Sequence, residues 1–387
     1  MKDLLKKQKK SKNELVESVI ADYEDRKLKK RSLELQWQLN LDFYAGKQNS
    51  ILTNFDTLVQ AGKQFFWQRN ESFNHIAPII EGRLAKITAY KGSDEGFNAL
   101  VERATMWSEV VGSVFYKVSW DTNAGVVVGI VKDDRGDEQI HEGDVRVSVC
   151  SPFEIFPDNL HATDVSELAS IIHAKYKDDV TIERYEVPSK KHPNGRLIIV
   201  AGEKLLHDGE LPYINGEDGK RCLPFVRQVS EDMVGTFFGR SVVERAIPVQ
   251  RAYNNIKNRK VEFLNRLACG VLAVEEGSVD LESLENDGLA PGKVIVYRHG
   301  SSAPKFLETG TLPAELEREE ERLLREFEII TGGGEIMRTA EGGDVSGHAL
   351  TILEESSYRR LGRTIQSMTN AVEQIKKQMT LLHKQFN

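Results

Sequence analysis

The fold of this chain is decided by Ile247-Pro-Val-Gln-Arg-Ala-Tyr-Asn-Asn-Ile-Lys-Asn-Arg-Lys-Val-Glu-Phe-Leu-Asn-Arg-Leu267 and by Pro313-Ala-Glu-Leu-Glu-Arg-Glu-Glu-Glu-Arg-Leu-Leu-Arg-Glu-Phe-Glu-Ile-Ile330. Apolar residues recur at helical spacing in both stretches. Between positions 251 and 266 the first has five basic residues and one acid, whereas the second has seven acids and three arginines. Opposite charge favours antiparallel pairing of these helices, although exposed ion pairs contribute only about 0–1 kcal/mol each. Two solvated faces that do not meet are the alternative.

Between the two helices lies a short insert, residues 271–309. Val271-Leu-Ala-Val and Lys293-Val-Ile-Val-Tyr are strand-like, and a short helix is predicted over residues 281–284. About forty residues are too few for a large core of their own. We therefore expect the strands of the insert to pair with those of neighbouring subunits. Pro248 suits a first helical turn, so the first helix is predicted to begin near residue 247.

A third long helix is predicted from about His348 to Phe386. Its apolar positions alternate four and three residues apart, an unbroken heptad stripe: Leu361, Ile365, Met368, Val372, Ile375, Met379, Leu382 and Phe386. Packing against other helices of a ring or bundle is the favoured interpretation, and a coiled-coil dimer is the alternative. Cations off the stripe could face DNA or solvent: Arg359, Arg360, Arg363, Lys376, Lys377 and Lys384.

Glycine clusters at residues 332–334 and 342–343 bracket a predicted loop. A phosphate-binding loop would need Gly-Lys-Ser/Thr entering a helix after a strand, and this segment has neither feature. The glycines more plainly supply tolerance of unusual φ angles.

The first 240 residues predict a mixed α+β region. A helix is expected over residues 1–48, ending at Gly46, and another over residues 165–172. Strands are expected over residues 114–120, 126–131, 145–149, 197–200 and 224–229. The acidic run Asp133-Asp-Arg-Gly-Asp-Glu between two strands lacks the glycine position and closing glutamate of a calcium-binding EF-hand loop, and predicts a hairpin tip.

Composition excludes several classes of protein. The chain has 387 residues, a net charge of -7 and three widely separated cysteines, and it carries no apolar run long enough to span a bilayer. Neither a secretory signal sequence nor a disulfide framework is expected. An acidic protein is poorly suited to gripping DNA, because phosphate neutralisation supplies most non-specific affinity. It could still let a duplex slide past.

The order of these parts resembles that of portal proteins of tailed bacteriophages. The motifs that carry the resemblance are Leu41-Asp-Phe-Tyr-Ala-Gly-Lys-Gln, Asn74-His-Ile-Ala-Pro-Ile-Ile-Glu-Gly-Arg-Leu-Ala-Lys, Ser151-Pro-Phe-Glu-Ile-Phe-Pro-Asp, Phe238-Gly-Arg-Ser-Val-Val-Glu, Pro248-Val-Gln-Arg-Ala-Tyr-Asn and Ser346-Gly-His-Ala-Leu. The resemblance implies an α+β subunit of a dodecameric ring at one capsid vertex, with double-stranded DNA passing through the centre during packaging and ejection.

The resemblance also assigns the segments of the chain. They are the wing (1–240), the descending stem helix (241–270), the clip (271–310), the returning stem helix (311–331), the tunnel loop (332–346) and a long helix toward the crown (347–387). The crown itself is expected to be minimal or absent.

Site residues and partners follow from these assignments. We expect Ile336, Met337 and Arg338 of the tunnel loop to lie close to DNA. Candidate channel-lining cations are Lys257, Lys260, Arg359 and Arg363, and candidate docking residues of the clip are Leu281, Leu284, Val294 and Val296. The implied partners are the large terminase ATPase, head-tail adaptors, and major capsid and scaffolding proteins. No catalytic residue, metal or cofactor is expected, and the ring is expected to assemble in the host bacterial cytoplasm and to reside in the virion.

Two other functions stay open at this point. A non-viral helical scaffold or adaptor could oligomerise through the heptad helix and would need no DNA. A metal-dependent hydrolase could be built around Asp133, Asp134, Asp137 and His141, although no motif of metal-ligand quality supports it.

Overall fold

The computed structural model describes residues 2–46, 76, 95–133, 136–176, 180–216, 219–269, 271–279, 296–307, 313–331 and 347–386. The chain divides into two compact units. Unit 1 comprises Met1–Ile247 and Phe327–Asn387, and unit 2 comprises Pro248–Glu326. The chain is α+β, as expected from the sequence, and each unit has its own arrangement of helices and strands.

The regular elements are numbered in chain order. The helices are α1 (Lys2–Tyr44), α2 (Glu95–Val111), α3 (Val242–Cys269), α4 (Ala314–Thr331) and α5 (Gly347–Phe386). The strands are β1 (Ser113–Asp121), β2 (Val127–Asp133), β3 (Gly136–His141), β4 (Asp144–Cys150), β5 (Ile155–Pro157), β6 (Ser170–Tyr176), β7 (Val180–Glu186), β8 (Arg196–Ala201), β9 (Lys204–Gly209), β10 (Phe225–Val229), β11 (Val271–Ala273) and β12 (Lys305–Leu307).

A five-stranded antiparallel sheet, β5-β6-β7-β8-β9, packs against α1. Val16, Val19 and Tyr23 of the helix are buried among apolar side chains of the sheet, including Phe156 and Ile172. Each such side chain contributes about 1.5–3 kcal/mol by leaving water. The long N-terminal helix is thereby fixed to the sheet through its central turns.

A three-stranded antiparallel sheet, β10-β1-β4, forms the second layer of unit 1 and is covered by α2 and α5. The turn from α2 into β1 requires glycine at position 112. Its φ is +104°, and a Cβ atom there would lie 2.3 Å from the carbonyl oxygen of Gly239. The chain therefore crosses itself at two glycines, where no side chain fits.

The heptad stripe of α5 packs on this sheet of its own chain. Leu361, Met368, Ile375 and Leu382 are all buried, and the stripe meets apolar residues of β1, β10 and α2. The expectation that the stripe would meet other helices therefore holds only in part: Leu361 and Met368 pack against Val101 of α2, whereas Ile375 and Leu382 also cover the sheet, which was not expected. A coiled-coil dimer through the same face of residues 361–386 is excluded, because that face is buried within the chain. Hydrophobic periodicity indicates that a face is buried, but it does not identify the partner.

Two helix predictions for unit 1 also need correction. Residues 165–172 form a 3-10 turn, Val165–Glu167, capped by Asp164, and then the start of β6, because the backbone from Ser170 onward pairs with β7. Helix α3 begins at Val242, five residues before the expected start. Its N-terminus is capped by the Ser241 hydroxyl, which accepts a hydrogen bond from the Val243 N–H at 2.9 Å.

In unit 2, β11 pairs with β12 in an antiparallel ladder of three residue pairs. The strand predicted over residues 271–274 is confirmed as β11, but β12 was not predicted. In the other predicted strand, residues 293–297, Val296 and Tyr297 are irregular, and residues 293–295 lie outside the described part of the chain. The helix predicted over residues 281–284 also lies outside it. Pro248 falls inside α3 rather than in its first turn, so one N–H donor of the helical ladder is missing.

Candidate functional site

The paired helices of unit 2 form the most strongly charged arrangement in the expected stem. Glu320 of α4 forms ion pairs with Lys257 and with Lys260 of α3, the latter at 3.4 Å, and accepts a hydrogen bond from the Tyr253 hydroxyl at 3.4 Å. Lys260 lies 3.7 Å from a second acid, Glu317. The basic and acidic helices therefore do meet, as their opposite charges predicted.

Glu320 is held ionised by its neighbours. Its side chain is only 14% exposed. Burial alone would raise the pKa of the Glu320 carboxyl, but the hydrogen bond and charge of Lys257, together with Lys260, outweigh burial and lower that pKa. Burial acts to lower the pKa of Lys257, yet the hydrogen bond from its ammonium to Glu320 raises it above its ordinary value. Both partners stay charged over a wider pH range than they would in water.

This ion pairing makes two of the predicted channel cations less available for contact with DNA. Lys257 and Lys260 point at α4, so within one subunit their charges are already balanced. The opposite face of α3 carries Arg251, Asn255 and Arg259, all exposed. Arg259 was not among the candidates. The signal that could have found it is its helical position, since residue 259 lies about 160° around the helix from residue 257 and two turns beyond residue 251.

The remaining candidates divide into described and undescribed residues. Arg363 lies on the exposed face of α5. Val296, from the expected clip, is 80% exposed. Arg359 belongs to α5, but the structure describes only its backbone. Outside the described residues altogether are Leu281, Leu284, Val294, Ile336, Met337 and Arg338.

Of the four residues of the alternative hydrolase site, only His141 has a described side chain, and Asp133 and Asp137 are described by their backbone alone, at the end of β2 and on β3. Asp137 and His141 lie on β3 four residues apart, which separates them by about 13 Å along the strand. The ring of His141 bonds to the Gly125 carbonyl at 3.1 Å. Asp134 lies outside the described residues.

We compared the chain with known protein families. Residues 132–386, about two thirds of the chain, match the family described as phage P22-like portal protein. The chain belongs to this family. A comparison with curated proteins gave no match.

Membership makes the chain a bacteriophage portal protein, a structural head-tail connector, and the scaffold or adaptor alternative is not favoured. Portal proteins are structural components of the virion capsid that work as oligomeric rings with DNA, terminase and capsid partners. No described helix of this portal protein is long and apolar enough to cross a membrane. The match includes α3, α4 and α5, the helices that the sequence singled out.

Proposed function

We propose that this portal protein forms a dodecameric ring at one capsid vertex, through which double-stranded DNA is packaged and later ejected. The observation that carries the proposal is the family match across both units. The small β11-β12 ladder supports assembly, because a two-stranded sheet by itself is marginally stable. Head-to-tail pairing between adjacent copies would cover its edges and close a ring.

Within that ring we assign the stem to residues 241–270 and 311–331, the clip to residues 271–310 and the tunnel loop to residues 332–346. The wing is residues 1–240. The ion pairs between α3 and α4 support the stem assignment, since they hold two oppositely directed helices together. The final helix was assigned to residues 347–387. Its residues 361–386 pack on the β10-β1-β4 sheet, which supports assigning these residues to the wing rather than to a crown.

The charge distribution suits a conduit. The protein carries a net charge of -7, and the acids of α4 balance Lys257 and Lys260. Each phosphate that a protein neutralises releases counterions and tightens binding, so a channel with few available cations holds a duplex weakly. Arg259 and Arg363, both exposed, are the described residues that we propose for the channel wall.

Partners would dock on the clip, where Val296 presents an exposed apolar side chain. We propose that the large terminase ATPase engages this end during packaging and that head-tail adaptors replace it afterwards. Major capsid and scaffolding proteins would surround the wing. The ATPase must supply the energy for translocation, since the sequence contains no nucleotide-binding motif. Assembly would take place in the host bacterial cytoplasm.

The test removes residues 334–342 and measures DNA packaged into procapsids as DNase-protected genome. Rings should form as in the wild type, while DNA retention or packaging falls. A matched variant replaces the same nine positions with a Gly-Ser linker of equal length, which keeps the loop length and removes Ile336, Met337 and Arg338. Unchanged packaging in both variants would contradict a tunnel role for this segment.

A further inference from the structure

Three side chains with metal-binding atoms converge in unit 1. Cys150 ends β4, Glu154 lies in the 3-10 turn that follows, and His173 lies on β6. The cysteine sulfur, one carboxylate oxygen and one imidazole nitrogen all lie within 4.8 Å of one another. Cys150 and His173 are buried, whereas Glu154 is partly exposed.

A hydrogen bond through Nδ1 fixes the orientation of the His173 ring. Its Nδ1 lies 3.0 Å from a carboxylate oxygen of Glu183. An ionised carboxylate only accepts hydrogen bonds, so Nδ1 must carry the proton, and Nε2 presents a lone pair on the other side of the ring. Nε2 lies 4.0 Å from the Glu154 carboxylate. A carboxylate behind a histidine is the usual support of a metal-binding imidazole.

Glu183 is equipped to stay ionised. It accepts hydrogen bonds from Lys117 and Lys175, each at 2.6 Å, and from the Tyr185 hydroxyl at 3.0 Å. Burial acts to raise the pKa of Glu183, but these neighbours and His173 outweigh it and lower that pKa strongly.

We propose that Cys150, Glu154 and His173 bind a divalent metal ion of the zinc class. Thiolate, imidazole and carboxylate are the three ligand types found in zinc sites, and a thiolate is a poor ligand for magnesium or calcium. Binding forms a metal–sulfur bond and releases the Cys150 thiol proton to solvent. A divalent ion with one thiolate and one carboxylate is then neutral overall, which suits a buried position.

The required rearrangement is small. In a tetrahedral zinc site the ligand atoms lie about 3.4–3.6 Å apart, so the present spacing would have to contract by about 1 Å. Glu154 is the partly exposed member and can make most of this movement, at the cost of the hydrogen bond that its Oε2 accepts from the Ser151 N–H at 3.2 Å. It also borders an open cavity of about 600 Å³, together with Ser151, which gives solvent a route to the fourth coordination position.

A bound ion would therefore crosslink the two sheets of unit 1. Cys150 belongs to the β10-β1-β4 sheet and His173 to the five-stranded sheet, and Glu154 lies on the turn that joins them. A bound ion would tie these three segments by coordination bonds in addition to the packing already described. We expect it to raise the thermal midpoint of the protein, because it binds the folded chain preferentially.

The test is titration of the full chain with Co²⁺, whose spectrum reports both thiolate ligation and tetrahedral geometry. Wild-type protein should show a thiolate-to-cobalt band in the near ultraviolet at one ion per chain, and Zn²⁺ should displace it. Cys150→Ser and His173→Gln should lose the band. The matched control is Cys222→Ser, which removes an exposed thiol and should keep it.

The buried variants could lose the band by failing to fold, so Glu154→Gln is tested as well, since its side chain is partly exposed and the variant should fold. It should keep the wild-type circular dichroism spectrum and weaken Co²⁺ binding by about tenfold or more. Absence of the thiolate band from wild-type protein, or its persistence in Cys150→Ser, would overturn the proposal. Binding with equal affinity in wild type and Glu154→Gln would remove Glu154 from the ligand set.

Discussion

Glu320→Gln should loosen the stem because this single carboxylate serves two lysines. A charge-assisted hydrogen bond contributes about 1.5–3 kcal/mol net. Glu320 is 14% exposed, whereas Lys257 and Lys260 are 21% and 24% exposed. We therefore expect a loss of about 2 kcal/mol for the helix pair, from the lower half of that range. Glu321, 68% exposed and paired with Arg325 on the same helix, provides the control. Glu321→Gln should cost about 0–0.5 kcal/mol.

The effect should also depend on pH. The pKa of Glu320 is lowered in the folded protein, so its contribution is present above the ordinary glutamate pKa of about 4.3 and is lost as pH falls through the folded value. The pKa of Lys257 is raised, so its contribution is present below the ordinary lysine pKa of about 10.4 and is lost as pH rises beyond it. Between about pH 5 and pH 10 the two variants should differ by a constant amount.

Hydrogen exchange measured by mass spectrometry on peptides from residues 248–269 and 314–326 is the assay. A loss of about 2 kcal/mol corresponds to a fall of about 30-fold in amide protection. Peptides from the β-sheets of unit 1 should exchange as in the wild type. Equal protection in Glu320→Gln and Glu321→Gln would refute the account of the stem as a helix pair held by Glu320.

Three further predictions concern packing and charge. Ile375→Ala should destabilise unit 1 by about 2–5 kcal/mol, because the side chain is fully buried under the sheet; thermal denaturation against the exposed control Glu373→Ala measures this, and a change in oligomeric state without a loss of stability would contradict it. Gly112→Ala should prevent normal folding, because its Cβ would lie 2.3 Å from a backbone oxygen. Gly362→Ala, in open space on α5, should instead stabilise the protein by about 0.5–1 kcal/mol. Equal thermal unfolding midpoints for the two variants would count against the close approach at Gly112. Arg363→Ala should lower the salt dependence of DNA retention in filled heads without altering ring formation, as scored by DNA release at increasing ionic strength, and an unchanged dependence would remove this arginine from the channel wall.

Periodicity and charge were enough to predict the helices of the second half. The bounds of α4 and α5 differ from the expected ones by a residue or so. The start of α3 was also readable, because Ser241-Val-Val-Glu matches the capping-box pattern that precedes many helices. The prediction rested on Pro248 alone, which suits a first helical turn, and it placed the start five residues too late.

Long-range partners could not be predicted from local pattern. The stripe of α5 is the same whether it meets a helix or a sheet, and only the fold decides that it covers β1 and β10. Residues 165–172 look helical because Val165, Leu168 and Ile172 have helical spacing, but Ile172 is paired in β6 with Arg184. Pairing with a distant strand overrides local propensity.

The candidate site shows the same limit in electrostatic terms. The sequence correctly predicted that a basic helix and an acidic helix would attract each other. That attraction turns Lys257 and Lys260 toward Glu320, and thereby makes them weaker candidates for contact with DNA than the exposed Arg259. The cluster that we propose as a metal site was missed because Cys150 and His173 are 23 positions apart and are brought together by the β5–β6 pairing.

The most direct test of the central claim is electron microscopy of the purified full chain, with rotational averaging, alone and after co-expression with its capsid and scaffolding partners. The account predicts rings of about a dozen subunits around a central hole wide enough for a DNA duplex. Monomers or dimers under both conditions, with no ring, would contradict it.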